Sequence, residues 1–168
     1  CRMCLVEMGM PDKQSGEVKM LPKLIPACQT PIAEGMIVET RSEKVKANQK
    51  AVMEYLLINH PLDCPVCDQA GDCYLQDYSF RFGNPLSRFE EVKEKQSKKR
   101  VGENVLLYAD RCVMCSRCVR FTREVSGGGE LAVTERGDKA EIDIYPGHPL
   151  DDNMSSNVAD ICPVGALL

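Results

Sequence analysis

Tryptophan is absent from this 168-residue chain, and aromatic residues make up only 5% of it. A core built from so few large side chains is small, so the fold is expected to lean on cross-links, as shrinking domains commonly do. No stretch approaches the ~20 consecutive apolar residues that a membrane-spanning helix needs, so any tie to a membrane would run through a partner. No basic stripe is present either: 21 Lys and Arg are spread among 25 Asp and Glu, for a net charge of -4. That balance argues against a nucleic-acid-binding surface. Gly127-Gly128-Gly129 lacks the strand–GxGxxG–helix context of a phosphate loop and reads as a turn. The chain opens on Cys1 rather than Met, which reads as a fragment and leaves targeting open.

What is abundant is cysteine, ten residues in all, mostly in compact groups of CxxC type. Such grouping, with no apolar signal segment ahead of it, favours metal-bound thiolates in a reducing compartment over secreted disulfides. With His60, the cysteines form three sets: Cys1, Cys4 and Cys28; His60, Cys64, Cys67 and Cys73; Cys112, Cys115 and Cys118, completed by Cys162 before Pro163. These are eleven donors where three four-ligand clusters would need twelve. The missing ligand belongs to the first set and is expected to lie in a lost N-terminal segment.

Cys112-x2-Cys115-x2-Cys118 matches the first three cysteines of the bacterial ferredoxin run, in which a tight loop wraps three thiolates around one face of a cubane. One triplet with one remote Cys-Pro makes one 4Fe-4S site; tetrahedral zinc usually takes separated pairs instead. His60-x3-Cys64-x2-Cys67-x5-Cys73 offers one imidazole and three thiolates, a set that suits either a histidine-ligated cubane or a zinc knot. Cys1-x2-Cys4 with Cys28 resembles three quarters of a plant-type 2Fe-2S set; the alternative is a zinc half-site or free thiols. His148 has no cysteine nearby and reads as a loop residue. Arg111, Arg117 and Arg120 flank the third set, where they could favour a reduced cluster or sit in solvent.

The local pattern predicts a small β-rich unit over residues 1–40, with strands at Cys4–Glu7, Val18–Leu24 and Met36–Thr40. A helix over Lys44–His60 follows, with Ser42 as N-cap and Val45, Val52, Tyr55, Leu56 and Asn59 near one face. The charged run Glu90–Arg100 reads as a solvated connector. Val105–Tyr108, Leu131–Thr134 and Ile142–Tyr145 are expected to be strands, and Cys115–Glu124 a short helix.

The runs His60-Pro61-Leu62-Asp63-Cys64-Pro65-Val66-Cys67 through Cys73-Tyr74-Leu75-Gln76-Asp77, Cys112-Val113-Met114-Cys115-Ser116-Arg117-Cys118, and Cys162-Pro163-Val164-Gly165-Ala166-Leu167 closely resemble the large iron–sulfur subunit of NADH:quinone oxidoreductase, respiratory complex I. Cys1-Arg2-Met3-Cys4 resembles the same family's 2Fe-2S loop. The resemblance implies an α+β architecture of three parts: a β-grasp ferredoxin-like 2Fe-2S remnant over 1–41, a helical 4Fe-4S domain with connector over 42–100, and a small α+β 4Fe-4S domain over 101–168. It implies one 2Fe-2S and two 4Fe-4S clusters, with no substrate-transforming site on this chain. The implied role is an electron-relay subunit of an oxidoreductase, passing single electrons from a flavin-bearing, NADH-oxidising subunit toward quinone-side iron–sulfur subunits. The implied place is the peripheral arm of a membrane complex, on the cytoplasmic or matrix side. Two departures stand out: the upstream cysteine is absent, and a polar insertion around Asp12–Gly16 is expected to lengthen a hairpin. Related cluster sets occur in hydrogenases and formate dehydrogenases; a zinc-stabilised interaction module is the rival from another class.

Overall fold

The computed structural model describes residues 2–12 and 15–168. These form two compact units, one of residues up to Tyr55 together with Tyr78–Ser87, the other of Leu56–Asp77 together with Arg88–Leu168. The architecture is mixed α/β.

In the first unit, β1 (Leu5–Pro11) is the central strand and pairs antiparallel with β2 (Val18–Met20), β3 (Ile25–Pro26) and β4 (Ile37–Glu39). The expected strands are present, shorter for β2 and longer for β1; the two-residue β3 adds a further pairing. Pro11 opposite Val18 sets the β1–β2 register, and the Asp12 carbonyl accepts from the Gly16 amide at 2.9 Å, closing the expected hairpin. Gly16 has φ +71°, a left-handed conformation open to glycine without steric cost. Lys13 and Gln14 of this loop lie outside the described residues.

Helix α1 (Glu43–Leu57) begins where the sequence places it. The Ser42 hydroxyl accepts from the Val45 amide at 3.3 Å, filling one of the free donors at a helix N-terminus. The buried stripe runs through Val45 and Met53, both fully buried, while Tyr55 is 75% exposed. The expected apolar face is therefore rotated away from Tyr55. The helix also stops at Leu57, three residues earlier than expected, where the Lys93 ammonium donates to the carbonyls of Leu57 and Ile58 at 2.8 and 2.7 Å. A cation on the last carbonyls satisfies both the hydrogen bonds and the helix dipole. His60 thus stands in the loop beyond the helix.

In the second unit, β5 (Lys98–Arg100) pairs with β6 (Leu106–Tyr108), and β7 (Leu131–Thr134) with β8 (Glu141–Ile144), both antiparallel. The C-terminal segment runs beside β6: Leu106 and Leu168 exchange both backbone hydrogen bonds, and the Tyr108 amide donates to the Ala166 carbonyl at 2.7 Å. Between these layers sit Val101, Leu107, Ile142, Leu150 and Val158, all essentially inaccessible. Each such side chain contributes on the order of 1.5–3 kcal/mol on burial.

The charged run is not a plain solvated connector. Lys93 caps α1, Lys98–Arg100 form β5, and Lys99 bridges Glu141 and Asp143 of β8 at 2.9 and 2.6 Å. Two helices were not expected: α2 (Tyr74–Phe82) directly after Cys73, and the single turn α4 (Asn157–Asp160) before Cys162. The helix expected over Cys115–Glu124 is α3 (Arg117–Phe121), continued by a π-helical turn over Thr122–Ser126. Gly127 and Gly129, at φ +85° and +68°, make the expected turn.

Candidate metal centres

The third donor set is drawn together by tertiary structure. Cys112, Cys115, Cys118 and the remote Cys162 line one cavity, walled by Leu107, Ile142, Val164 and Leu167 of the core. Three elements place the sulfurs: the loop Cys112–Ser116, the first turn of α3, and the segment after α4. In the loop, Met114 and Ser116 adopt left-handed backbone angles (φ +52° and +59°), uncommon for residues with a side chain. That curl lets the Met114 amide donate to the Cys112 sulfur at 3.3 Å.

Burial dominates the electrostatics there. It pushes the Cys112 thiol up to about 12 and the Cys118 thiol up to about 11, against donation from the Met114 and Val119 amides and reinforced by the neighbouring cysteines. Four thiolates cannot share such an apolar space unless cations compensate them. The iron ions of a cluster would supply that compensation, so the donor chemistry fits one.

The second set also converges. His60, Cys64, Cys67 and Cys73 line a second cavity with Asp63, Gln76, Arg111, Val164 and Gly165. Cys64 is exposed and enters a short 3₁₀ turn, Cys64–Val66, with Pro65 at its start; Cys73 is buried and leads into α2. Burial lowers the His60 pKa, followed by the cations Lys93 and Arg111, with Asp110 and Asp63 pulling the other way. The outcome is a neutral imidazole, the form that binds a metal. A carboxylate oxygen of Asp110 is buried without a hydrogen-bond partner. Such an acceptor, on a group close enough to influence His60, suits the N–H that a ligating imidazole leaves free.

Of the first set, Cys4 and Cys28 are brought to 3.3 Å between sulfurs. Their titrations split: donation from the Cys28 backbone amide holds Cys4 below the usual thiol range, while the bond to Cys4 raises Cys28. Cys1 lies outside the described residues. His148 is a loop residue, as expected, bridged to Tyr145 with the rings 5.9 Å apart.

The arginines divide differently from the expectation. Arg117 lines the Cys112 cavity, and Arg120 is exposed. Arg111, although next to Cys112, is in the wall of the His60 cavity, bonded to Asp63 and to the Gly165 carbonyl. The segment Cys162–Gly165 serves both cavities. Cys162 lines one, Gly165 the other, and Val164 both. The Cys73 thiol lies 3.9 Å from the Pro163 carbonyl, and a Cβ on Gly165 would collide with the Cys67 sulfur. Sequence reasoning saw the Cys-Pro as a ligand only. Among the described residues, no three His, Cys, Asp or Glu side chains are gathered closely enough to hold a single metal ion.

The comparisons with known families place the chain among iron–sulfur-binding proteins. Residues 49–88 match the family model described as the NADH-ubiquinone oxidoreductase-G iron-sulfur binding region, and residues 102–168 match that of the NADH-quinone oxidoreductase subunit 3 ferredoxin-like domain. The chain belongs to the family of NADH-quinone oxidoreductase G subunits. It is 44% identical to the NADH-quinone oxidoreductase G subunit of Rickettsia felis over 167 residues, covering 99% of this chain and 23% of the relative. It is also 44% identical to the mitochondrial NADH-ubiquinone oxidoreductase 78 kDa subunit of Neurospora crassa, covering 99% of this chain and 21% of that protein. The chain thus spans less than a quarter of the length of these relatives. Among solved structures, a chain of an NAD+-reducing [NiFe]-hydrogenase in the H2-reduced state superposes with a TM-score of 0.79 at 26% identity, over 99% of this chain and 68% of that one.

Proposed function

We propose that this chain relays single electrons through iron–sulfur clusters within an NADH:quinone oxidoreductase. The observation that carries the reading is the convergence of two four-donor sets on two cavities that share Val164 as a wall residue. In this reading Cys112, Cys115, Cys118 and Cys162 hold one 4Fe-4S cluster, and His60, Cys64, Cys67 and Cys73 hold a second. Cys4 and Cys28, with Cys1 and a further cysteine, hold a 2Fe-2S cluster on a β-grasp sheet. A bound cluster supplies a one-electron couple whose potential the protein tunes through ligand charge, hydrogen bonds to sulfur and burial.

The residues divide that tuning between them. The Met114 amide donates to the Cys112 sulfur, and apolar core side chains wall that cavity. His60 contributes a neutral ligand where a cysteine would contribute an anion. Separate cluster-binding regions over 1–41, 42–100 and 101–168 remain the functional division, although the compact units are drawn differently. No group on the chain is assigned to transform a substrate; the chain serves the oxidoreductase as a conductor. Its partners are a flavin-bearing NADH-oxidising subunit and quinone-side iron–sulfur subunits, in the peripheral arm of a membrane complex. Among the described residues no helix is long and apolar enough to cross a membrane, so in this reading attachment runs through those partners.

The hydrogenase likeness supports a second reading, in which the same clusters feed a hydrogenase. Reduction of the clusters by NADH but not by H2 in the natural assembly would separate the first reading from the second. A zinc-stabilised module would require four donors within about 2.0–2.3 Å of one ion. The deciding experiment is anaerobic reconstitution with assays of iron, acid-labile sulfide and zinc, and EPR through a reductive titration. Two or three separately titrating cluster signals are expected; zinc without sulfide would overturn the relay.

A further inference from the structure

Arg111 is the most deeply buried charge in the second unit, its side chain only 4% exposed. Its Nε and Nη2 both donate to one carboxylate oxygen of Asp63, at 3.2 and 3.0 Å. Its Nη1 donates to the Gly165 carbonyl at 3.3 Å, and its guanidinium carbon stands 4.3 Å from the centre of the Tyr108 ring. Each of these hydrogen bonds ties down a loop of the His60 cavity: Asp63 precedes Cys64, and Gly165 packs on the Cys67 sulfur. The 3₁₀ turn Ala109–Arg111 gives way to extended backbone at Cys112, and the two neighbours serve different cavities.

We propose that Arg111 is a positioning residue of the His60 donor set, and that the Arg111–Asp63 pair sets the potential of the cluster held there. The proposal rests on the relay reading. Water screens little of a charge so buried, whereas the Asp63 side chain is 30% exposed and offsets it incompletely. A net positive field in the cavity wall favours the more negative, reduced state of whatever is bound. The fork also holds the Asp63 loop to the Gly165 segment, two parts of the cavity's lining; a lysine could supply the charge but not the fork.

The test is an EPR-monitored redox titration of the full-length protein in its assembled complex, with the His60 cluster identified by nitrogen hyperfine coupling from its imidazole. Arg111→Gln is expected to lower the reduction equilibrium constant of that cluster tenfold or more, a shift of about 59 mV for one electron. Asp63→Asn is expected to shift it upward, and Arg111→Lys to restore most of the Arg111→Gln loss. The Cys112 cluster should move by less than a third as much in each case. Shifts in the same direction from Arg111→Gln and Asp63→Asn, or a larger shift at the Cys112 cluster, would overturn the proposal. Should Arg111→Gln fail to assemble, Asp63→Asn decides alone: an upward shift supports the assignment, and none or a downward one overturns it. Absence of both 4Fe-4S signals from the unsubstituted protein would overturn the relay reading and this one with it.

Discussion

In the Cys112 cavity the sulfurs stand against Leu107, Ile142 and Leu167; in the His60 cavity they share the wall with Asp63, Gln76 and Arg111. The first site is continuous with the hydrophobic core, since Cys118 is one of its buried members and Cys112 and Cys162 pack against it. The second is built from a loop whose Cys64, Leu62 and Val66 are exposed, and it relies on an ion pair and a neutral imidazole. The two cavities thus surround their cysteines differently, with apolar core residues in one and placed charges in the other. The two strategies differ in how each site should fail.

The largest expected effect separates them by stability. Cys118→Ser should abolish the Cys112 cluster signal and cost the second unit about 3 kcal/mol, since it removes a metal link and places a hydroxyl in the core. Cys64→Ser should abolish only the His60 signal and cost less stability, since its hydroxyl stands at an exposed position rather than in the core. Thermal unfolding alongside EPR checks both, and equal destabilisation would erase the distinction. Gly165→Ala sharpens it from the other side. The added Cβ has no room beside the Cys67 sulfur, so the His60 signal should be lost or broadened while the Cys112 signal persists.

Next in size is ligand charge. His60→Cys adds an anion to the cluster and should lower its midpoint by about 60 mV or more, as histidine ligation raises it in related centres. A midpoint that did not fall would count against the neutral-ligand account.

Titration should mark the core-embedded site. In cluster-free protein, Cys112 and Cys118 are raised from 9.0 to about 12 and about 11. A thiol raised on folding contributes stability in full below its unfolded pKa, and loses it as pH climbs toward the folded value. Stability should therefore be flat to about pH 9 and fall between about 9 and 12. Melting temperatures across that range test it, and a flat profile would mean that these thiols are not buried in solution. The smallest effect is expected from Lys99→Met, which removes the ion pairs to Glu141 and Asp143. With all three side chains 21–28% exposed, it should cost about 1 kcal/mol or less and leave both midpoints unmoved.

The grouping of residues that line the two cavities was legible because cluster chemistry prescribes local spacing. That Cys162 would lie in the same cavity as the Cys112 triplet was legible because a remote Cys-Pro is itself a signal. Two kinds of feature were not. Helix α2 buries only Leu75, so it leaves almost no apolar period to read. The destinations of Lys93, Lys99 and Arg111 depend on partners 35 to 54 residues away, which no local pattern encodes. Arg111 misled most, because adjacency to Cys112 suggested the wrong cavity. Tyr55 misled for the reverse reason: helical periodicity gave its spacing but not which arc of α1 the rest of the unit would cover.

The left-handed backbone at Met114 and Ser116 bears on how this region can vary through evolution. Neither residue is a proposed ligand, yet a β-branched side chain is poorly tolerated at such angles, whereas Gly or Asn fits them readily. Drift at these two positions is thus channelled by chain geometry rather than by metal chemistry. Lineages that replace the four cysteines' neighbours should keep small or unbranched residues there long after the rest of the loop has diverged.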